Sequence, residues 1–470
     1  MKQFLLLLLI AVPFLSVQAK KKKTPNVLII LSDDQGWGDV GFNGCTDIPT
    51  PNLDALAADG VICSQGYASH PYCSPSRAGL LSGRYQHRFG HECNLPYTTA
   101  KADDGLPLDE LMMSELFKEE GFKTCAIGKW HLGDSIAYWP NKRGFEDWYG
   151  FWGGGMSYWG DTGKGRGPMG GVLRDGEPVP MSEITYLTDN FSEEAVDYID
   201  EYSKEDKPFF MYLAYNAPHS PIHATKQYTD MVSHIEDGYR AAYAAMVVGM
   251  DVGVGKVIQK LKDAGEYENT IIFYYSDNGA ATNGASSEPY RGHKGMLFEG
   301  GIRVPFCVTW KGKIEGGKVY DKAVSALDIF PTALAATDVK CPKGKNLDGV
   351  NLMPFLNGEN QASPHETLFW RYSDGAGYAV LRGKYKMVMS GFKNNDFFLF
   401  DIEKDPFEHT NIASENPAKL AELKKAYQEW NKGTVPGLWE DPHAANIYKE
   451  VNKRESFIKK ATSGEGKNQK

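Results

Sequence analysis

The sequence predicts an α/β protein: a mostly parallel, buried sheet packed between helices, followed by a smaller antiparallel sheet with one covering helix. Three observations carry that prediction. Short, nearly continuous apolar runs recur between helical patterns, which is how strands buried on both faces read. Four of these runs end abruptly in polar residues, as strands do where a sheet opens on a ligand crevice. After about residue 360 the pattern changes to closely spaced short strands separated by turns. The expected organisation is a main domain over residues 24–360 and a C-terminal subdomain over residues 361–470.

Residues 1–19 read as a cleaved secretory signal peptide. Lys2 is followed by an apolar run over residues 4–14 and by Val17-Gln18-Ala19 as a small-residue cleavage site. The run is shorter than a membrane span requires, and no later segment resembles one. The expectation is export to a periplasm or beyond, with cleavage after Ala19. A formal net charge of −9 argues against nucleic acid as a partner, so cations for an anionic ligand have to be gathered locally. The seven cysteines (Cys45, Cys63, Cys73, Cys93, Cys125, Cys307, Cys341) show no close metal-type spacing. Cys125 and Cys307 fall in apolar runs and read as packed thiols. Pairing among the others is open.

The four polar endings come next. Residues 26–31 (NVLIIL) end in Ser32-Asp33-Asp34, and residues 122–127 in Gly128-Lys129-Trp130-His131. Residues 209–215 lead into Asn216-Ala217-Pro218-His219, and residues 270–275 end in Ser276-Asp277-Asn278-Gly279. Any one of these is an ordinary turn; four together suggest a shared crevice. Asp33, Asp34, Asp277 and Asn278 offer oxygens to a hard divalent cation, and so mixed and flexible a set suits calcium better than magnesium. Adjacent Asp33 and Asp34 cannot both point inward from a regular strand, so they mark its break into a loop. Lys129 and His131 are two apart and share a side if the chain stays extended, with Trp130 opposite. The glycine-rich stretch 290–305 brings Lys294.

Between the first two endings lies Cys73-Ser74-Pro75-Ser76-Arg77, continued as AGLLSGR over residues 78–84. Pro75 fits a first helical turn. The Cys73 side chain then sits over free backbone N–H groups, and Arg77, four residues on, shares its side. That geometry suits a nucleophile that attacks an anion; the plain alternative is a buried thiol before an ordinary helix.

This pentad and its continuation resemble the signature of the type I, formylglycine-dependent sulfatases, which include arylsulfatases and bacterial carbohydrate sulfatases. The pattern continues in order through the Asp-Asp pair, GKWHLG, PHSP, SDNG and KGMLFEGGIRVP, over residues 26–305. A looser match runs from residues 399–401 (LFD) through 405–408 (DPFE) to Asn411. Ser82 stands where Thr is common. The resemblance implies an alkaline-phosphatase-like fold, with a large mixed, mostly parallel sheet sandwiched by helices. It also implies that a maturation enzyme oxidises Cys73 to formylglycine, whose hydrate is the nucleophile. One calcium ion would be held by Asp33, Asp34, Asp277 and Asn278 together with residue 73. Arg77, Lys129 and Lys294 would surround the sulfate. His219 or Lys294 would protonate the leaving alcohol, and His131 would deprotonate the second hydroxyl. The implied substrate is a sulfated carbohydrate. Two alternatives stay open: a phosphate or phosphonate ester hydrolase of the same superfamily, and an inactive glycan-binding homologue with an intact thiol.

The remaining stretches are less specific. Residues 150–171 are rich in glycine and aromatics and read equally as a surface loop or as a substrate rim, with Trp152, Tyr158 and Trp159 facing a sugar ring. Residues 238–264 read as a core helix that Gly253 and Gly255 weaken, with Asp251 structural. His223 lacks the neighbours a metal site needs. Short strands are expected over residues 367–372, 378–381, 385–389 and 397–400, and a helix over 417–431. Trp370 and Arg371 are candidates to complete the pocket, with a surface position the weightier reading. Residues 453–470 read as a frayed polar end.

Overall fold

The computed structural model describes residues 23–95, 103–160, 171–390 and 396–439. The signal segment 1–19, residues 161–170 of the glycine-rich stretch and the tail 453–470 lie outside the described residues.

A ten-stranded sheet runs in the order Lys318–Tyr320, Val61–Cys63, Phe306–Thr309, Thr270–Ser276, Asn26–Ser32, Phe209–Ala214, Lys123–Lys129, Asp147–Phe151, Leu173–Arg174, Glu177–Pro178. The five strands from Thr270–Ser276 to Asp147–Phe151 are parallel. Phe306–Thr309 runs against both neighbours, and the last two strands make an antiparallel edge. The sheet is mixed and mostly parallel, as expected.

The first strand shows why the chain folds this way. Every residue of Asn26–Ser32 is buried, and alternate side chains enter different layers. Leu28 and Ile30 join one apolar layer, with the helices Leu187–Tyr202 and Gly238–Asp263. Val27, Ile29 and Leu31 join the other, with Cys73–Ser82, Met113–Glu119 and Ile329–Thr337. Each such side chain taken out of water contributes about 1.5–3 kcal/mol before entropy is counted.

Gly238–Asp263 starts where the Asp237 carboxylate accepts the N–H groups of Tyr239 (2.8 Å) and Arg240 (3.1 Å). Among the described residues it is the one helix long and apolar enough to cross a membrane, and here it packs on the sheet. Gly253 permits a close helix crossing: a Cβ there would lie 2.1 Å from Ser192 Oγ. Asp251 is structural, accepting the Leu53 N–H and the Asn52 amide, each at 2.8 Å, at the start of the helix Pro51–Ala58.

The strands Thr367–Tyr372, Gly377–Arg382, Tyr385–Met389 and Phe397–Asp401 form an antiparallel meander. One face takes the helix Pro417–Asn431 through Leu423 and Tyr427. The other packs on Tyr67, Leu297, Phe298 and Ile302. Fully buried Lys386 bridges Glu299 (2.7 Å) and Glu408 (2.9 Å), tying this sheet to the chain just after Lys294.

A surface position for Trp370 and Arg371 is corrected. Trp370 is buried and its indole N–H donates to the Ala68 carbonyl at 2.8 Å. Arg371 is buried too, gripping Glu92 with two bonds of 2.9 and 2.6 Å and reaching Asn431 and Thr434. Both faces of this small sheet are covered, so its alternating strand has no solvent side here.

Candidate active site

Parallel register brings the four polar endings to one level. Ser32 pairs with Ser276, Leu31 with Ala214, and Ala214 with Gly128. The strands therefore release Asp33, Asp277, Asn216 and Lys129 side by side. Asp34 takes a left-handed backbone (φ 65°), which turns its side chain relative to that of Asp33, as the sequence required. Gly128 also has a positive φ (98°), and a Cβ there would lie 2.0 Å from the Ala214 carbonyl oxygen.

The helix Cys73–Ser82 is buried along its whole length and ends on Gly83, in the left-handed conformation. Its Arg77 is fixed by three hydrogen bonds to two partners. Nε and Nη2 donate to Asp277 Oδ2 at 2.9 and 2.8 Å, and Nη1 donates to the Lys129 carbonyl at 2.8 Å. The Lys129 ammonium donates to Asp33 Oδ2 at 2.6 Å. Lys294 arrives on a loop pinned by its own N–H to the Ala280 carbonyl (2.8 Å) and by the Gly295 N–H to the Pro71 carbonyl (3.0 Å). Its ammonium lies 2.5 Å from Asp34 Oδ1 and 3.2 Å from Cys73 Sγ. Asn278 donates its amide to Asp34 Oδ1 at 2.8 Å.

Burial works against every charge here, and the outcome depends on neighbours. Asp34 is pushed up by burial, but Lys294, His219 and Lys129 outweigh it and hold the carboxyl well below its ordinary range. Burial and the Asp33 charge push Asp277 up to about 6. Lys129 and Lys294 rise despite burial, through Asp33 and Asp34 respectively. Burial pushes the Cys73 thiol up to about 11, so it is neutral at neutral pH.

Asp33, Asp34, Cys73 and His219 each present an atom within 4.8 Å of the others, a group able to hold a metal ion. Asp277 stands outside that group: its Oδ2 serves Arg77, and its Oδ1 accepts the Asp34 N–H at 3.3 Å. Two buried oxygens, Asp33 Oδ1 and Asn278 Oδ1, have no hydrogen-bond partner among the described residues. Unsatisfied buried acceptors are costly, and a hard cation is what such oxygens suit. The donor set therefore fits a divalent ion.

The two candidate proton carriers flank this cluster. His219 Nε2 lies 3.6 Å from Asp34 Oδ2, and its Nδ1 faces the Ser220 carbonyl at 2.6 Å, which assigns the ring proton to Nδ1. Burial lowers His219 to about 3, with Asp34 pulling the other way. His131 is buried, and burial with the charges of Lys129, Arg77 and Lys294 lowers it strongly. It departs from the extended chain expected of it. His131 is left-handed (φ 63°), its N–H donates to the Trp152 carbonyl at 2.8 Å, and Trp130 turns into the apolar layer.

The aromatic rim is corrected in part. Tyr158 is fully buried, and its one hydroxyl proton lies between the carbonyls of Asn216 (2.5 Å) and His219 (2.9 Å). It is a strut beneath His219, because a phenol that finds two buried acceptors has no reason to face water. Trp152 stacks on Trp139 (5.5 Å, 20°) and is partly buried. Trp159 is 40% exposed and lies over His223 (6.3 Å, 26°), so of the three it offers an open face. Arg371 does not line the crevice; its guanidinium is taken up by Glu92. Sequence reasoning missed Ser74, His91 and Asn94, which hold the helix start and the His131 backbone. The available signal was Ser74 itself, a hydroxyl inside the motif.

The fold and this cluster define a hydrolase of anionic esters, built at the carboxyl ends of a parallel sheet. The sulfatase family profile matches residues 25–339, and that of the C-terminal region of N-sulphoglucosamine sulphohydrolase matches residues 292–433. N-acetylgalactosamine-6-sulfatase of Mus musculus is 32% identical over 93% of this chain and 91% of its own length. An uncharacterized sulfatase, YdeN, of Escherichia coli (strain K12) is 30% identical over 91% of this chain and 89% of its own. The crystal structure of Ps i-CgsB superposes with a TM-score of 0.84 at 35% identity, covering 93% of this chain and 99% of that one, and a second structure of it contains k-i-k-neocarrahexaose. The chain belongs to the sulfatase family, the sulfuric ester hydrolases.

Proposed function

We propose that this chain is an exported sulfatase that removes a sulfate ester from a carbohydrate, using formylglycine made from Cys73 and one calcium ion. The observation that carries this reading is the convergence of three cations and three carboxylates on the start of the Cys73 helix. Arg77, Lys129 and Lys294 balance Asp33, Asp34 and Asp277. A bound divalent ion would leave the crevice two charges positive, which selects for an anionic group. Asp33, Asp34 and Asn278 would hold the ion with residue 73, since Asp33 Oδ1 and Asn278 Oδ1 are unpartnered among the described residues, and Asp277, now engaged by Arg77 and the Asp34 N–H, would have to give up one of those bonds to join them.

When bound, the ion would supply Lewis acidity to an oxygen on residue 73 and to the sulfate. Formylglycine, as its hydrate, would supply two hydroxyls, one to attack and one whose ionisation releases sulfate. The chain's own residues do the rest. Arg77 is oriented in advance by Asp277 and the Lys129 carbonyl, so little rearrangement is needed to meet a sulfate oxygen. Lys129 and Lys294 bring two more positive groups to the same anion. The Lys294 ammonium, charged at rest, carries the proton for the leaving alcohol, or His219 does once its ring has gained a second proton at Nε2, and His131 accepts one during release.

A carbohydrate substrate is supported by relatives named for or crystallised with sugars and by the exposed Trp159 face. The signal-like residues 1–19 support export, and a maturation enzyme for Cys73 is the implied partner. The deciding experiment combines mass analysis of the Cys73 peptide with sulfate release across sulfated mono- and oligosaccharides that differ in one position. Full conversion of Cys73 with release only from aryl phosphates, or with no release at all, overturns the proposal.

A further inference from the structure

Behind residue 73 lies a line of buried hydrogen bonds that the proposed chemistry does not use. Ser74 Oγ is 2.6 Å from the His131 carbonyl oxygen and 2.6 Å from His91 Nε2. Ser74, His91 and His131 are all buried. A carbonyl only accepts, so the single hydroxyl proton of Ser74 goes to His131. His91 Nε2 must then carry its own proton and donate to Ser74. Burial lowers His91 to about 3 although the Gly105 backbone favours the charged ring, so the ring is neutral, and with Nδ1 unbonded among the described residues its one proton is assigned to Nε2.

The receiving residue is the strained one. His131 holds a left-handed backbone that residues other than glycine seldom adopt, and such conformations persist only where neighbours impose them. Trp152 holds its N–H and Ser74 holds its carbonyl, one bond on either side of the strained torsions. The donor side is also fixed. Trp439 packs edge-on against His91 (4.8 Å, 82°) and donates its indole N–H to the Asn94 carbonyl at 3.0 Å. The Asn94 side chain in turn accepts the Ser74 N–H at 3.0 Å.

We propose that His91 and Ser74 are positioning residues for His131: the His91 Nε2–H orients the Ser74 hydroxyl, which locks the His131 backbone so that its imidazole stands beside Lys129 and Arg77. This rests on the reading that His131 takes part in turnover.

The test uses the full chain, with every rate divided by the fraction of Cys73 converted, measured by mass. His91→Leu is expected to lower kcat about 10- to 100-fold, the scale of a misplaced catalytic group, with KM changed less than about 2-fold. His91→Gln, whose amide N–H can replace the ring donor, should keep at least about a third of kcat. Ser74→Ala should resemble His91→Leu, and Ser74→Thr should resemble wild type. In a His131→Ala background, His91→Leu should cost little more, because the two act through one group. A His131→Ala enzyme with unchanged kcat would overturn the His131 reading and this inference together. If His131→Ala is inactive but Ser74→Ala and His91→Leu keep kcat, the inference alone fails. It fails equally if the His91→Leu loss multiplies with that of His131→Ala. Should His91→Leu not fold, the contrast between Ser74→Ala and Ser74→Thr decides.

Discussion

Replacing Lys129 by methionine removes an ammonium group and keeps most of its stem. Lys129 Nζ lies 2.6 Å from Asp33 Oδ2, and neither side chain is exposed. Removing one partner of a buried pair leaves the other charge uncompensated, at about 3–5 kcal/mol. Arg77 Nη2 remains 3.8 Å from the same oxygen, so the lower end, about 3 kcal/mol, is expected. The stability loss should show as a fall in the urea midpoint at unchanged slope. In a chelator-treated Asp33→Asn background the same substitution should cost little, since no charge is orphaned. Activity should fall further than stability explains. A cation about 4 Å from a growing charge is worth roughly 4 kcal/mol at an effective dielectric of about 20, or about 10³ in kcat/KM. Sulfate release from an aryl sulfate, measured on protein with Cys73 fully converted, reads that loss directly. A Lys129→Met enzyme with wild-type midpoint and less than about a 3-fold loss in kcat/KM would refute the placement of this ammonium at the substrate anion.

Three further outcomes are expected. Cys73→Ala should abolish sulfate release while leaving the urea midpoint nearly unchanged, because alanine keeps the backbone and Cβ of residue 73 and removes only a small group, whether thiol or formylglycine; measurable turnover would remove residue 73 from the chemistry. His365 donates to both Asp328 oxygens (2.8 and 2.9 Å), and Asp328 raises it above its ordinary 6.5 despite burial. A raised folded value means that the stabilisation is fully present below pH 6.5 and is lost as pH rises through the folded value, so the midpoint gap between wild type and His365→Gln should narrow on going alkaline. A gap that widens instead would reverse the sign of that linkage. Trp159→Ala should raise KM for a sugar sulfate about 2- to 10-fold, the worth of one aromatic face, and leave a small aryl sulfate unaffected. Equal effects on both substrates would make Trp159 a packing residue.

Much of the fold was legible because buried parallel strands write themselves as apolar runs. The runs ending at Ser32, Lys129, Ala214 and Ser276 are the strands that carry the site. The C-terminal helix Pro417–Asn431 has the bounds its pattern gave, with proline in the first turn. That the motif residues meet was legible for a different reason: each follows a strand end or opens a helix, and in a parallel sheet those ends share one edge.

Burial and facing were not legible where a residue's partner lies far along the chain. Tyr158 read as a rim aromatic because its local neighbours are glycines, yet its hydroxyl finds carbonyls about sixty residues away. Arg371 read as exposed because nothing nearby in sequence covers it, while its partner Glu92 comes from the other end of the chain. His131 read as extended because alternation is the default, while the partners that meet its left-handed backbone, Ser74 and Trp152 among them, come from distant parts of the chain. The sequence by itself determined the kinds of layer, the strand ends and the residue types of the cluster, all of which follow from local periodicity and composition. Tertiary structure alone decided which groups touch, since hydrogen bonds and charge pairs form across distances in space that chain separation does not encode.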